Sequence, residues 1–174
     1  VVSVINPGVA RFGDETILLL RVCERPLQEK NWLSTAVLDA ESAKKEYKIL
    51  RFKKDDSLLY FHDPRFFYYN GDGYLTTISH LRIARSTDGI NFSIEQQPFI
   101  RSESEDEEFG VEDCRITKTE QTYYIYYVAV SRNSYCTKLA STTDFKTVWR
   151  HGIVFCPQNK DIAVFDGKVN GMYA

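Results

Sequence analysis

His62-Asp63-Pro64-Arg65-Phe66 and Glu112-Asp113-Cys114-Arg115-Ile116 are two versions of one motif, offset by 50 residues. The same offset relates Arg65 to Arg115 and Tyr74 to Tyr124. Each motif leads into an apolar run, Tyr74–Ser79 or Tyr123–Val128, and then into a second, Leu81–Ser86 or Thr137–Thr142. Each unit closes on a turn and an aromatic, Thr87-Asp88-Gly89-Ile90-Asn91-Phe92 or Thr143-Asp144-Phe145. Dense aromatic runs such as Phe66-Phe67-Tyr68-Tyr69 and Tyr123-Tyr124-Ile125-Tyr126-Tyr127 suit pleated strands better than helices. Working outward, Asn6-Pro7-Gly8-Val9-Ala10-Arg11-Phe12 and Asp161-Ile162-Ala163-Val164-Phe165 add a copy on each side. The copies start near residues 6, 63, 113 and 161, at intervals of 57, 50 and 48.

A strand-rich unit of about 50 residues is the mark of a β-propeller blade, whereas a sandwich would not repeat an Asp-x-Arg pair at one point of every unit. The expectation is an all-β, single-domain propeller over residues 1–174, supplying about three and a half blades. The one helix-like stretch, Asp39–Glu46, reads as a loop insertion or a single turn. A ring needs at least about four blades to close. The remainder is therefore expected from further chain, or less simply from a second copy in a homo-oligomer.

Composition narrows the function. A net charge of −2 offers no field for nucleic acid or an anionic membrane. The opening Val-Val-Ser-Val-Ile-Asn-Pro has no basic flank of a secretory signal, so the expectation is a cytoplasmic protein with buried, reduced thiols. Cys23, Cys114, Cys136 and Cys156 are spaced for neither a zinc knuckle nor a small disulfide scaffold. The acidic run Glu103-Ser104-Glu105-Asp106-Glu107-Glu108 reads as a solvated loop, with a substrate-facing rim as the alternative.

In a propeller the leading strands converge on one axis. Asp63, Asp113 and Asp161 would then meet in one pocket, where repulsion and burial can raise a carboxyl pKa enough for general-acid work. Alternatively each Asp pairs with its own Arg as a structural ion pair, and this is the simpler reading for Asp63 and Arg65. For Asp113 the adjacent Glu112, in Gly110-Val111-Glu112-Asp113, favours chemistry.

These residues carry a family resemblance. Asn6-Pro7-Gly8, Leu18-Leu19-Leu20-Arg21-Val22, Asp63-Pro64-Arg65, Gly110-Val111-Glu112-Asp113-x-Arg115 and Asn159-Lys160-Asp161 together resemble glycoside hydrolase family 130, across essentially the whole chain and in order. The resemblance implies a five-bladed propeller that cleaves β-mannosides by inverting phosphorolysis to α-mannose 1-phosphate, or in some members by hydrolysis. It implies Asp113 as proton donor to the glycosidic oxygen, through the 3-hydroxyl of the bound mannose. Asn6, Arg21, Asp63, Arg65, Glu112 and Asp161 would form the sugar site. Arg132, Asn133 and Lys160 would bind phosphate, which is a co-substrate; no metal and no other cofactor is implied. Cations rather than a second carboxylate suit an anionic nucleophile, because an inverting hydrolase needs a base to activate water. The sequence departs from the family pattern at Cys114 and at Phe165-Asp166, where proline is usual. Further acidic and His-Arg elements of the family pattern find no match, so a chain ending at Ala174 is expected to be inactive alone. A non-catalytic carbohydrate-binding propeller is the third reading.

Overall fold

The computed structural model describes residues 1–173. Its architecture is all-β, as the repeat predicts. β1 (Ser3–Phe12) and β2 (Glu15–Glu24) form a hairpin across Gly13-Asp14, where φ of 57° at Gly13 suits a tight turn. β3 (Trp32–Leu38) pairs with β4 (Tyr47–Lys53), and the Asp39–Glu46 segment between them is a turn-rich loop. β5 (Leu59–Asp63), β6 (Phe66–Tyr69) and β7 (Asp72–Leu75) make a three-stranded meander. β8 (Ile78–Ser86) and the short β9 (Ser93–Ile94) return to the first hairpin, giving the sheet order β1-β2-β8-β9. A second four-stranded sheet follows in simple order: β10 (Val111–Thr119), β11 (Thr122–Val130), β12 (Tyr135–Thr142) and β13 (Trp149–Phe155). β14 (Lys168–Val169) and β15 (Met172–Tyr173) form a last small hairpin.

The two four-stranded sheets are built alike. In each, the loop after the third strand is tied by an aspartate. Asp88 accepts the backbone N–H groups of Ile90 and Asn91 at 2.8 Å, and Asp144 those of Lys146 and Thr147 at 2.8 Å. Those turns are the ones the repeat singled out.

The unit expected to start near residue 63 is divided differently. Residues 25–77 are an insertion between the second and third strands of the first sheet. The run 74–79 is broken at Thr76-Thr77, and β8 pairs with β2 over nine residues, Thr16↔Ser86 to Glu24↔Ile78. The likeness of Asp63 to Asp113 is therefore local to a turn. The matching leading strands are β1 and β10, so Asn6 corresponds to Asp113. A shared backbone feature supports this: Asn6, Asp113 and Asp161 have φ of 45°, 39° and 59°, and Asp63 is not left-handed.

Alternating apolar positions join the sheets. Ile17 and Leu19 of β2, Leu81 and Ile83 of β8, and Val111, Ile125 and Ala140 of the second sheet are all fully buried in one cluster. A second cluster, with Leu33, Val37, Phe52, Phe67, Tyr74 and Phe109, attaches the insertion. Leu38 N–H donates to Glu108 O at 2.9 Å, so a backbone bond also holds the insertion, and the Thr35 hydroxyl donates to Leu75 O at 2.5 Å within it.

The acidic run is solvated only in part: Glu103 and Glu105 are exposed, whereas Glu107 is not. Glu107 has no exposed surface and receives the Tyr127 hydroxyl (2.9 Å), the Glu103 N–H (2.7 Å), Lys138 (3.0 Å) and Arg150 (3.0 Å). A buried carboxylate is tolerable only when paired and hydrogen-bonded in this way. Alternation along β12 and β13 brings those two cations to it. Three cysteines are buried as expected, but Cys156, just past the end of β13, is exposed. Among the described residues no helix is long and apolar enough to cross a membrane.

Candidate active site

The leading strand of each sheet is bulged at the same place. The ladder of β1 shifts between Ile5 and Gly8, and that of β10 between Glu112 and Arg115. A bulge turns a side chain out of its ladder, and here it presents Asn6 and Asp113 to each other. Asn6 Nδ2 donates to Asp113 Oδ1 at 3.0 Å.

Arg21 of β2 reaches across from the first sheet to the second. Its Nη1 meets Asp113 Oδ1 at 3.0 Å, its Nη2 meets Glu112 Oε1 at 2.5 Å, and its Nε donates to Ser79 Oγ at 3.3 Å. One planar guanidinium thus holds two adjacent carboxylates, a geometry that lysine does not offer. Burial alone would lower the Arg21 pKa, but Glu112 and Asp113 outweigh it and hold the cation. Burial pushes the Glu112 carboxyl above its ordinary value, opposed by Arg21, and the neighbouring Asp113 charge adds to the rise. Arg21 is shared between two acids, so it only partly offsets the desolvation of Glu112. Asp113 Oδ2 has no hydrogen-bond partner among the described residues, in contrast to the doubly held Oδ1.

These groups line a cleft of about 620 Å³, together with Asp63, Arg65, Arg25, Tyr135 and Lys160. The insertion supplies Asp63 and Arg65. Asp63 accepts the Arg65 N–H at 2.6 Å and its guanidinium at 3.2 Å, and the first of these bonds leads in holding the carboxyl below its usual range. The simpler reading, a local ion pair, therefore describes Asp63 and Arg65, although both reach the cleft. At Asp113 that reading fails, because Arg115 bonds the Cys114 carbonyl and Arg21 takes its place. Asp161 does not itself line the cleft; it sits beside Lys160, 3.7 Å away, and acts on Glu112 from there.

The three expected phosphate ligands are not brought together. Lys160 lines the cleft with its ammonium 5.9 Å from the Tyr135 ring. Arg132 is held by Glu108 at 2.5–3.0 Å and lies over Tyr74, outside the cleft lining. Asn133 lies in an adjoining hollow that shares Tyr135. Glu108 is the reason for the Arg132 placement, and it belongs to the run that had read as solvated.

Sequence reasoning missed Ser79, Arg25 and Tyr135, none of which stands in a motif. Gly110 was quoted, but its role was not visible. With φ of 112°, its Cα lies against the Ser79 backbone, and a Cβ there would fall 2.5 Å from the Ser79 nitrogen. That contact fixes where the start of β10 lies against β8 of the first sheet, and so where Glu112 and Asp113 meet Arg21. Cys114 fills the space beside Gly8, where a Cβ would come 2.7 Å from its sulfur. Burial pushes its thiol up to about 12, so it is packing rather than a nucleophile.

A family model described as beta-1,4-mannooligosaccharide phosphorylase, glycoside hydrolase family 130, matches residues 53–173. The chain belongs to glycoside hydrolase family 130. Over 99% of its length it is 38% identical to a beta-1,2-mannobiose phosphorylase of Listeria innocua, covering 50% of that protein. It is 30% identical, over 85% of its length, to a beta-1,2-mannobiose phosphorylase of Thermoanaerobacter sp., covering 49% of it. The Listeria innocua enzyme, solved as a complex with beta-1,2-mannobiose, superposes with a TM-score of 0.89 over 97% of this chain and 48% of that one. The chain thus spans about half the length of the curated relatives it matches. Family 130 proteins are five-bladed β-propellers, as the resemblance implies, and this chain covers about half of one.

Proposed function

We propose that this family 130 chain carries the sugar-binding and proton-donating part of an inverting β-mannoside phosphorylase, with β-1,2-mannobiose as the first substrate to test. The observation that carries the reading is the clamp on Asp113. Arg21 and Asn6 occupy Oδ1, leaving Oδ2 for a substrate hydroxyl. In the reaction an oxygen of phosphate bonds to the anomeric carbon while the bond to the glycosidic oxygen breaks. The proton of Asp113 ends on the departing oxygen, directly or through the 3-hydroxyl, and inversion yields α-mannose 1-phosphate. Arg21 and Asn6 orient the carboxyl, and the half-buried Glu112 binds the sugar beside it. Lys160, with Arg25 as an addition that the motifs did not suggest, supplies positive charge for the nucleophile. Arg132 and Asn133 contribute to phosphate binding only if the Glu108 pair opens.

An inverting hydrolase is the second reading, because Asp63 also lines the cleft as a carboxylate. Its engagement with Arg65 makes it a poor base for water. Incubation with β-1,2-mannobiose, with and without phosphate, separates the two. Phosphorolysis predicts α-mannose 1-phosphate and no turnover without phosphate; mannose release indifferent to phosphate rejects it.

A further inference from the structure

The leading strands continue past the cleft into a second groove of about 650 Å³. Residues 7–11 of β1, 115–118 of β10 and 163–166 form its three walls. Counted from the left-handed Asn6, Asp113 and Asp161, these are equivalent positions of three copies, so Arg11, Lys118 and Asp166 stand at the same step of each. The third wall is pinned, since the Thr117 hydroxyl donates to Val164 O at 2.7 Å.

Most arginines of the molecule are matched to acids. Arg21, Arg51, Arg65, Arg82, Arg85, Arg132 and Arg150 each pair with a carboxylate. Arg11, Arg25, Arg101 and Arg115 do not, among the described residues, and of these four Arg11 and Arg115 line this groove. Arg11 bonds Gly13 O (3.1 Å) and Thr16 Oγ1 (3.4 Å), and Arg115 bonds Cys114 O (3.1 Å), all neutral partners. Lys118 lies 5.2 Å from the Tyr123 ring centroid and has no acidic partner either. Asp166 lines the same groove without an ion pair to any of the three. In a chain of net charge −2, three cations are thus gathered beside one carboxylate. Like charges drawn together in a groove repel one another until an anion joins them, and guanidinium forks match the oxygens of a tetrahedral oxyanion.

We propose that this groove binds inorganic phosphate at a site separate from the sugar cleft. Its walls begin just after the Asn6 and Asp113 bulges, and it shares no lining residue with the sugar cleft. The proposal rests on the groove's own charges and not on the mannoside reading.

Isothermal titration of the full chain with inorganic phosphate tests it, comparing the unaltered protein, R11Q/R115Q/K118Q and K160M. We expect the triple variant to lose a class of phosphate sites, with at least about tenfold weaker binding, and K160M to keep that class. Sulfate should compete for it, and β-1,2-mannobiose should not displace it. Undiminished phosphate binding in the triple variant overturns the proposal, as does loss of all phosphate binding in K160M. Should the triple variant fail to fold by circular dichroism, K118E alone, an exposed site, should weaken the same class at least about threefold; unchanged affinity overturns the proposal. A K160M protein whose phosphate binding is wholly intact counts against the cleft reading instead, so the two failures are distinct.

Discussion

Replacing Arg21 by Gln removes the single cation that Glu112 and Asp113 share. Side-chain exposures of 15%, 16% and 18% place the three groups largely out of water, so solvent screens the loss only modestly. Breaking a buried pair by removing one partner costs about 3–5 kcal/mol. With partial exposure and Asn6 still bonded to Asp113, we expect about 2–4 kcal/mol at pH 8. The cost should depend on pH. Glu112 already binds its proton more tightly in the folded state than in the unfolded one, because burial outweighs Arg21. Without Arg21 this tendency grows. An acid with a raised folded pKa contributes its stability below its unfolded value, near 4.5, and loses it as pH rises through the folded value. The variant should therefore be penalised less at pH 5 than at pH 8, by about 1.4 kcal/mol for each unit that Glu112 rises further. Urea unfolding of both proteins at the two pH values measures this. A loss under about 0.5 kcal/mol, or one equal at both pH values, would refute the clamp as the organising contact of the site.

Three further outcomes follow from the same geometry. Asp113→Asn should keep sugar binding while turnover falls about 10²-fold or more, as judged by binding titration beside product assays; equal activity removes Asp113 as the acid. Gly110→Ala should destabilise by about 2–4 kcal/mol, since a φ of 112° and the Ser79 backbone both oppose a Cβ; a thermal midpoint within 1–2 °C of the parent contradicts the packing described here. His80, buried and accepting the Arg82 Nε–H at 2.9 Å, has its pKa lowered chiefly by burial. Its unfolded form takes a proton near 6.5 and the folded form only at lower pH, so stability should be full above 6.5 and decline as pH falls through that value. His80→Gln should flatten the decline seen in denaturant midpoints between pH 7.5 and 5.5.

Much of the site was legible because its residues lie in short motifs whose chemistry is local. Asn6, Glu112 and Asp113 could be named because Asn-Pro-Gly and Gly-Val-Glu-Asp resemble family 130 motifs, and the structure puts all three in one cleft with Arg21. Asp63 and Lys160 reach the same cleft, whereas Arg132 does not, because it is drawn into an ion pair with Glu108. No spacing rule could reveal that partner. Glu108 lies in a run of acids whose bland appearance hides one fully buried carboxylate, and only the cations arriving from β12 and β13 distinguish Glu107 from its neighbours.

Periodicity and aromatic patterning, which depend on residues close in the chain, determined that the protein is built of strands in repeated units. They placed Asn6, Asp113 and Asp161 at the heads of such units, but could not tell that Asp63 heads only a turn. Which strand pairs with which is a long-range choice. β8 completes its hydrogen-bond ladder on β2 rather than on the neighbouring β7, and that made residues 25–77 an insertion instead of a unit. Only the tertiary structure decided this, because a strand's ladder is satisfied by whichever edge the buried faces bring alongside. The same rule selected Arg21, and not the adjacent Arg115, as the cation that holds Asp113.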